Sequence, residues 1–237
     1  MSHAAFRTTS GESGTVSEDA LAALRGRLRG RLVQPSDADY DEVRAVWNGM
    51  VDKRPGLIVR CAGVADVIAA VTFARDHDLL VAVRGGGHNV SGNAVCDGGL
   101  VIDLSPMRAV RVDPSGQTVR AEGGVTIGEL DHETQAFGLA VPMGVVTATG
   151  IAGLTLGGGL GWLRRKYGLS CDNLRAADVV TADGRLVTAS ADADAELLWA
   201  LKGGGGNFGI VTSFEFQAYP VGPDVFFAFV VHAGTDA

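Results

Sequence analysis

Residues 55–84 switch from a strand pattern to a helix pattern and back. The stretch PGLIVRC (55–61) is a short apolar run typical of a buried strand, and LLVAVR (79–84) is a second one. Between them, residues 64–78 carry apolar side chains at helical spacing. A strand, a helix and a strand in about thirty residues form a βαβ unit, so we expect the two strands to run parallel.

Beyond residue 100 the pattern changes to short alternating runs that predict antiparallel strands. LVIDL, AVRVD and TVRAEGG are such runs, broken by a Pro-Ser-Gly turn. Thr126 and Glu129 have the spacing of a capping box, which predicts a helix over 126–138. Residues 176–190 alternate around an Asp-Gly turn and predict a hairpin. A short helix pattern and an alternating strand pattern follow.

The two ends of the chain contrast in character. Residues 17–33 open with a serine cap and predict a helix, and residues 37–50 predict another that ends near Gly49. The first sixteen residues are expected to form a flexible tail. The last segment, DVFFAFVVHAGTDA (224–237), predicts an apolar strand that needs a partner.

Together these elements predict an α+β fold in which a small α/β lobe precedes an antiparallel α+β lobe. The expected divisions are a flexible N-terminus with a leading helix (1–34), a first lobe (35–104), a second lobe (105–222) and the beginning of a further domain (223–237).

Composition and charge exclude several classes of function. The net charge of −7 argues against nucleic-acid binding, and no apolar stretch is long enough to span a membrane. Cys61, Cys96 and Cys171 are scattered, which favours a reducing compartment, so a cytoplasmic location is expected. The histidines are equally dispersed, and no metal site is predicted.

Glycine is the unusual component, with 34 residues in a chain of 237. One cluster, GGGNFG (204–209), has the spacing of a dinucleotide fingerprint, but a helix pattern precedes it and a strand pattern follows. A Rossmann unit has the opposite order, so this interpretation is excluded.

Two other glycine runs are candidates for ligand contact. In RGGGH (84–88) three glycines follow a buried strand, and their N–H groups suit an anion such as a diphosphate; a tight loop that leaves the strand is an equal alternative. In residues 148–174 the glycines are too dense for a helix interior, which suggests backbone lying along a large ligand, or backbone packed on backbone. Two such runs on different lobes predict an elongated cofactor between them. No residue stands out as a catalytic acid, base or nucleophile.

Four motifs in order resemble the FAD-linked oxidases of the vanillyl-alcohol-oxidase superfamily, in the berberine-bridge-enzyme-like branch. They are VAVRGGGHNVSG, TGIAGLTLGGGLGWLRRKYGLSCDNL, VVTADGRLV and LLWALKGGGGNFGIVTSFEF. That branch includes hydroxynicotine oxidase and oligosaccharide oxidases. The resemblance covers about residues 35–220 and implies a PCMH-type domain that holds FAD between two lobes.

The resemblance also implies roles for particular residues. His88 would be joined covalently to the 8α-methyl group of the flavin. Other residues of its loop would wrap the diphosphate: Arg84, Gly85, Gly86, Gly87, Asn89 and Ser91. A second cofactor-contacting run is matched by Thr149, Gly150, Gly153, Gly157 and Gly161, and a position near the adenine by Ile210. Some members add a bond from a cysteine to the flavin C6; Val146 occupies that position, which implies a single link through His88.

The activity implied is hydride transfer from a CH–OH or CH–N carbon of a small-molecule substrate to flavin N5, with O2 as the usual acceptor. Family members carry a substrate domain after the FAD domain, and this sequence contains little of it. The expectation is therefore the FAD-binding portion of an oxidoreductase, completed by further polypeptide. Two alternatives stay open: an FAD-binding module without turnover, and a dehydrogenase that uses another electron acceptor.

Overall fold

The first lobe is built on a four-stranded sheet. The computed structural model describes residues 3–226, 228–232 and 234. The elements of the first half of the chain are β1 (His3–Arg7), β2 (Ser13–Ser17), α1 (Glu18–Arg27), β3 (Arg31–Val33), α2 (Tyr40–Arg44), β4 (Leu57–Arg60), α3 (Val64–Asp76), β5 (Val81–Arg84) and β6 (Leu100–Asp103). The strand order in the sheet is β3-β4-β6-β5.

Strands β4 and β5 run in the same direction, as the βαβ pattern predicts, but they are not neighbours. β6 lies between them and pairs parallel with both. The prediction of antiparallel pairing for the run LVIDL is therefore wrong. All four residues of β6 are buried, because the strand occupies the middle of a sheet that is covered on both faces.

The N-terminal residues form a hairpin, and the prediction of a flexible tail is wrong. β1 and β2 pair antiparallel. Phe6 and Val16 are buried in the same core cluster as Leu21 and Leu24 of α1. This contact with a core built from distant residues orders a segment that has no clear pattern of its own. Helix α1 begins at its Ser17 cap, as predicted.

The second predicted helix is shorter than its pattern indicates, because α2 ends at Arg44. In a continuing helix the Val43 carbonyl would accept from the N–H of Trp47. Instead, Arg84 Nη1 donates to the Val43 carbonyl at 2.6 Å, and the Trp47 N–H donates to the Gly87 carbonyl at 3.2 Å. Contacts with β5 and the loop after it therefore end the helix.

The second lobe is built on a five-stranded sheet in which every neighbouring pair is antiparallel. Its elements are β7 (Val110–Asp113), β8 (Thr118–Glu122), α4 (Ile127–Gln135), β9 (Leu139–Ala140), α5 (Ile151–Leu156), α6 (Arg164–Tyr167), a 3-10 turn (Cys171–Asn173), β10 (Leu174–Val180), β11 (Leu186–Ser190), α7 (Ala195–Leu201), β12 (Ile210–Gln217) and β13 (Tyr219–Pro220). The strand order is β11-β10-β12-β8-β7.

Several sequence predictions for this lobe are confirmed. The capping box of Thr126 and Glu129 opens α4, and β10 and β11 form the predicted hairpin. Helix α7 precedes the glycine cluster at 204–209 and β12 follows it, so the cluster is not a Rossmann unit. Within the described part of the chain, every helix is too short or too polar to cross a bilayer.

Two predictions in this half are wrong. The glycine run at 148–174 contains a helix, α5, with Gly153 in its interior. The described residues of 224–237 form no strand, and the side chains of Phe226 and Phe229 are exposed. None of the described strands pairs with this segment. An apolar run without a neighbouring strand has no backbone hydrogen-bond partners with which to form a sheet. The rest of that predicted strand lies outside the described residues.

The carboxyl ends of the three parallel strands bring three charged residues together. Arg60 of β4 and Arg84 of β5 are both in register with Asp103 of β6. Arg84 and Asp103 are buried, and Arg84 Nε and Nη2 donate to the carboxylate at 3.0 and 2.7 Å. Arg60 Nε donates at 3.3 Å, and the N–H and hydroxyl of Ser105 both donate at 3.0 Å. The carboxylate of Asp103 is therefore fully enclosed by donors.

The protonation of Asp103 follows from these contacts. Burial alone would raise the pKa of Asp103. The hydrogen bonds and charge of Arg84, together with the hydrogen bonds from Ser105, hold the pKa below its usual value. Because the folded-state pKa is below that of the unfolded chain, this carboxylate stabilises the fold above about pH 4. The contribution is lost as the pH falls through the folded-state pKa.

We expect Asp103→Asn to lower the free energy of unfolding at pH 7 by about 3–5 kcal/mol, because it leaves the Arg84 guanidinium buried without its counter-charge. The matched control is Asp76→Asn, which removes the exposed partner of Arg75 and should cost less than about 1 kcal/mol. Urea denaturation measures the free energy of unfolding of both variants. Equal losses for the two variants would contradict the assignment of this pair as a main support of the sheet edge.

Candidate functional site

A cavity of about 350 Å³ lies where the two lobes meet. The first lobe contributes residues of the segment 42–47, Arg60, Arg84 and the three glycines 85–87. The second lobe contributes Ser105, Arg108, Gly124, Thr126 and Ala148. The sequence predicts a ligand cleft between the lobes, and the cavity lies at that boundary.

The glycine loop after β5 has backbone donors that the protein does not use. Among the described residues, the N–H groups of Gly85, Gly86, Gly87 and His88 have no hydrogen-bond acceptor. Gly87 is buried and has a φ of +71°, a left-handed conformation that favours glycine. Because an unpaired buried N–H is costly, the loop suits a ligand that brings acceptor oxygens.

The two glycine runs meet backbone on backbone. A Cβ atom on Gly86 would collide with the backbone of Gly150, and a Cβ on Gly150 would collide with the backbone of Gly86. Gly161 is equally closed, because a Cβ there would strike the Met143 carbonyl. At these three positions backbone packing alone is a sufficient reason for glycine.

Gly153 is in a different situation. It lies exposed inside α5, and a Cβ there would meet no described atom within 4 Å. Gly157, the residue that ends this helix, completes the same turn. Glycine destabilises a helix interior by about 0.5–1 kcal/mol relative to alanine. Since protein packing does not require glycine at position 153, its open side is available to a ligand.

His88 follows the three glycines and is partly buried. Its ring stacks on the indole of Trp47, with ring centroids 5.2 Å apart and planes inclined by 19°. Asn89 and Ser91 are exposed, and the Asn89 side-chain oxygen accepts from the N–H of Asn93 at 3.0 Å. Of these three predicted site residues, His88 has the most constrained side chain.

The remaining predicted residues are placed unequally. Arg84 lines the cavity, but its guanidinium is engaged by Asp103 and by the Val43 carbonyl. Thr149 adjoins the cavity through Ala148, and its carbonyl accepts from the N–H of Ile127, the first residue of α4, at 2.9 Å. Ile210 is buried in a core cluster of the first lobe and is not among the residues that line the cavity.

Motif reasoning missed three charged residues of the cavity, Glu42, Arg60 and Arg108. Arg60 and Arg108 line it, and Arg108 is fixed by Glu129, with Nη1 3.0 Å from the carboxylate. Burial would raise the pKa of Glu129, but hydrogen bonds from Thr126 and the charge of Arg108 hold the pKa below its usual value. Arg60 could have been found as a charged residue at the carboxyl end of a buried parallel strand. Trp47 had no such signal, because its place beside His88 depends on a contact between distant segments.

Comparison with known families agrees with this geometry. Residues 55–190 match the family described as an FAD binding domain. The matched range begins just before β4 and ends with β11, so it contains both glycine runs that meet at the cavity.

Individual relatives lead to the same family. The (R)-6-hydroxynicotine oxidase of Paenarthrobacter nicotinovorans is 41% identical over 206 residues, which are 87% of this chain and 45% of the relative. The crystal structure of 6-hydroxy-D-nicotine oxidase from Arthrobacter nicotinovorans has a TM-score of 0.80 at 42% identity and matches 81% of this chain and 43% of that one. BBE-like 1 of Physcomitrella patens has a TM-score of 0.80 at 31% identity, over 84% of this chain and 44% of that one.

These matches confirm the predicted α+β, PCMH-type FAD-binding fold. The chain spans less than half the length of each of the three relatives. The family match contains both glycine runs and the cavity residues from Arg60 to Ala148. The chain belongs to the FAD binding domain family, in the berberine-bridge-enzyme-like branch of the vanillyl-alcohol-oxidase superfamily.

Proposed function

We propose that FAD lies between the two lobes, with its diphosphate in the cavity beside residues 85–88. The observation that carries this proposal is the set of four consecutive N–H groups without a protein acceptor. Arg60 and Arg108 line the same cavity, and their guanidinium groups, which are partly exposed, could donate hydrogen bonds to an anionic diphosphate. The donors and charges of this site therefore fit the cofactor of the family.

The glycine runs would serve the cofactor in two ways. Gly86 and Gly150 bring the two loops into contact, and Gly153 leaves open space along α5 for the cofactor. The roles that the resemblance gives to the other matched residues stay predictions; they are Asn89, Ser91, Thr149, Gly157, Gly161 and Ile210.

His88 is proposed as the single covalent attachment point of the flavin, through the 8α-methyl group. Its position directly after the diphosphate loop and its constrained ring support this role. Val146 has no sulfur with which to form a second bond to the flavin C6. A single covalent link would keep the cofactor in place without a cysteinyl bond.

The protein is proposed to oxidise a small molecule at a CH–OH or CH–N carbon. FAD, when bound, would supply the hydride acceptor, and O2 would be the final electron acceptor. The residues of this chain would bind the diphosphate, orient the cofactor and carry its covalent link. We also propose a cytoplasmic location, which the three free, buried cysteines support.

We expect the purified chain to be yellow and to keep its flavin in the pellet after acid precipitation. His88→Ala should bind FAD that is released by acid, because the imidazole is the only proposed link. His132→Ala, an exposed histidine of α4, is the control and should keep acid-stable flavin. Mass spectrometry of peptides should place flavin on the His88 peptide and none on the Val146 peptide. Complete release of flavin from the unaltered chain would refute the covalent link.

We expect Gly153→Ala to weaken FAD binding by about tenfold or more, because its methyl group would occupy the space proposed for the cofactor. The stability of the FAD-free chain should stay equal or rise by up to about 1 kcal/mol, since alanine is the better helix former. Binding is measured by fluorescence titration in the His88→Ala background, where FAD can dissociate.

Gly26→Ala is the matched control for this experiment. Gly26 also lies exposed in a helix, and a Cβ there would meet no described atom within 4 Å. Gly26→Ala should leave FAD affinity unchanged. If Gly153→Ala also leaves affinity unchanged, the cofactor does not pass along the open side of α5.

The acceptor is tested by reducing the flavin without air and then adding one oxidant at a time. An oxidase predicts that air restores the yellow colour as fast as an artificial dye acceptor does. Recovery with the dye but only slowly with air would favour the dehydrogenase. Recovery with neither would favour a module without turnover, and stopped-flow absorption distinguishes the three outcomes.

A further inference from the structure

Trp47 is a large aromatic residue that the fold leaves largely outside the core. Its side chain is 65% exposed. Its described ring contact is the stack on His88, at 5.2 Å between centroids. An exposed tryptophan contributes little to a core, so a different reason for its position is needed.

The backbone around Trp47 is attached to the loop on both sides of His88. The Trp47 N–H donates to the carbonyl of Gly87, one residue before His88, at 3.2 Å. Asn48 Nδ2 donates to the carbonyl of Val90, two residues after His88, at 3.0 Å. These two bonds bracket the histidine and place the indole beside its ring.

The same segment is anchored to the sheet from its other end. Arg84 Nη1 donates to the carbonyls of Val43 and Ala45 at 2.6 and 3.3 Å, while the rest of the guanidinium is engaged by Asp103. The chain from Val43 to Trp47 is therefore tied to the sheet edge and to the loop. Trp47 is held against His88 by these polar contacts, independently of burial in the core.

We propose that Trp47 is a positioning residue for covalent flavin attachment: its indole holds the His88 imidazole in the orientation that bonds to the flavin. This rests on the proposed link through His88. In that reaction an imidazole nitrogen forms a bond to the 8α carbon of FAD and loses its N–H proton. A C–H bond of the 8α-methyl breaks and releases a proton, its two electrons reduce the flavin ring, and O2 re-oxidises the ring to give H2O2.

Stacking would act on the rate of this step. An imidazole that rotates freely spends only part of its time aligned with the 8α carbon, and a flat neighbour restricts that rotation. An aromatic pair of this kind stabilises one arrangement enough to change a rate by about three- to tenfold. Trp47→Ala should therefore slow covalent attachment by that factor, and Trp47→Phe, which retains a stacking face, should restore most of the rate.

The test uses the 237-residue chain prepared without flavin and then mixed with FAD. Acid-precipitated samples taken over time give the rate of covalent attachment, and the total flavin that binds before acid treatment is measured separately. The control is Trp199→Ala, which removes another exposed tryptophan, 79% accessible, from α7 of the second lobe. The thermal stability of all variants should stay close to that of the unaltered chain, because both side chains are exposed.

A second readout reports the contact without any flavin. The indole ring current shifts the ring protons of His88 in NMR spectra of the flavin-free chain. Trp47→Ala should move these signals, while Trp199→Ala should leave them in place.

The outcomes separate the two proposals. No acid-stable flavin in the unaltered chain would overturn the covalent link itself. Acid-stable flavin that forms at the same rate in Trp47→Ala would overturn the role of Trp47 and leave the link intact. Slower attachment with unchanged total binding, together with rescue by Trp47→Phe, would support the positioning role.

Discussion

The buried pair of Arg84 and Asp103 is the contact on which the rest of the site depends. It lies at the carboxyl ends of β5 and β6, where burial makes an unpaired charge costly, so the two side chains constrain each other strongly. Arg84 uses its remaining donors on the carbonyls of Val43 and Ala45 and thereby ends α2. The pair therefore fixes both the start of the glycine loop and the segment that faces it.

This arrangement changes the interpretation of Arg84. As part of the motif RGGGH it would be expected to bind the diphosphate, but its guanidinium is committed to protein acceptors. Arg60 and Arg108, which the motifs do not contain, also line the cavity; each is paired with a carboxylate on one side, Arg60 with Asp103 and Arg108 with Glu129. The fold thus separates two tasks: buried Arg84 shapes the loop, while the guanidinium groups of Arg60 and Arg108 stay partly exposed beside the cavity.

The glycines likewise have different structural roles that the amino-acid sequence alone does not distinguish. Gly86 and Gly150 must be glycine because their backbones touch, and Gly87 favours glycine because its φ is positive. A Cβ on Gly153, in contrast, would meet no described atom within 4 Å. Only the last of these has no explanation within the protein. A glycine-rich motif is therefore a mixture of packing and binding positions, and the tertiary contacts decide which is which.

Local patterns in the sequence determined the elements whose causes are local. The capping box of Thr126 and Glu129, the Asp-Gly hairpin turn and the helix over residues 64–76 depend on neighbours within a few residues, and each is present. The four ordered motifs were sufficient to predict the family and the two-lobed fold, since the motifs lie at the loops that define this fold. The sequence also singled out the glycine loop and His88.

Tertiary structure decided whatever depends on contacts between distant segments. The hairpin of residues 3–17, the central place of β6 and the early end of α2 follow from packing and hydrogen bonds that no local period reveals. The stack of Trp47 on His88 joins residues 41 positions apart, and Arg60, Arg84 and Asp103 meet because three parallel strands end at one edge. Periodicity reports which face of an element is apolar, but the partner of that face is set by the whole chain.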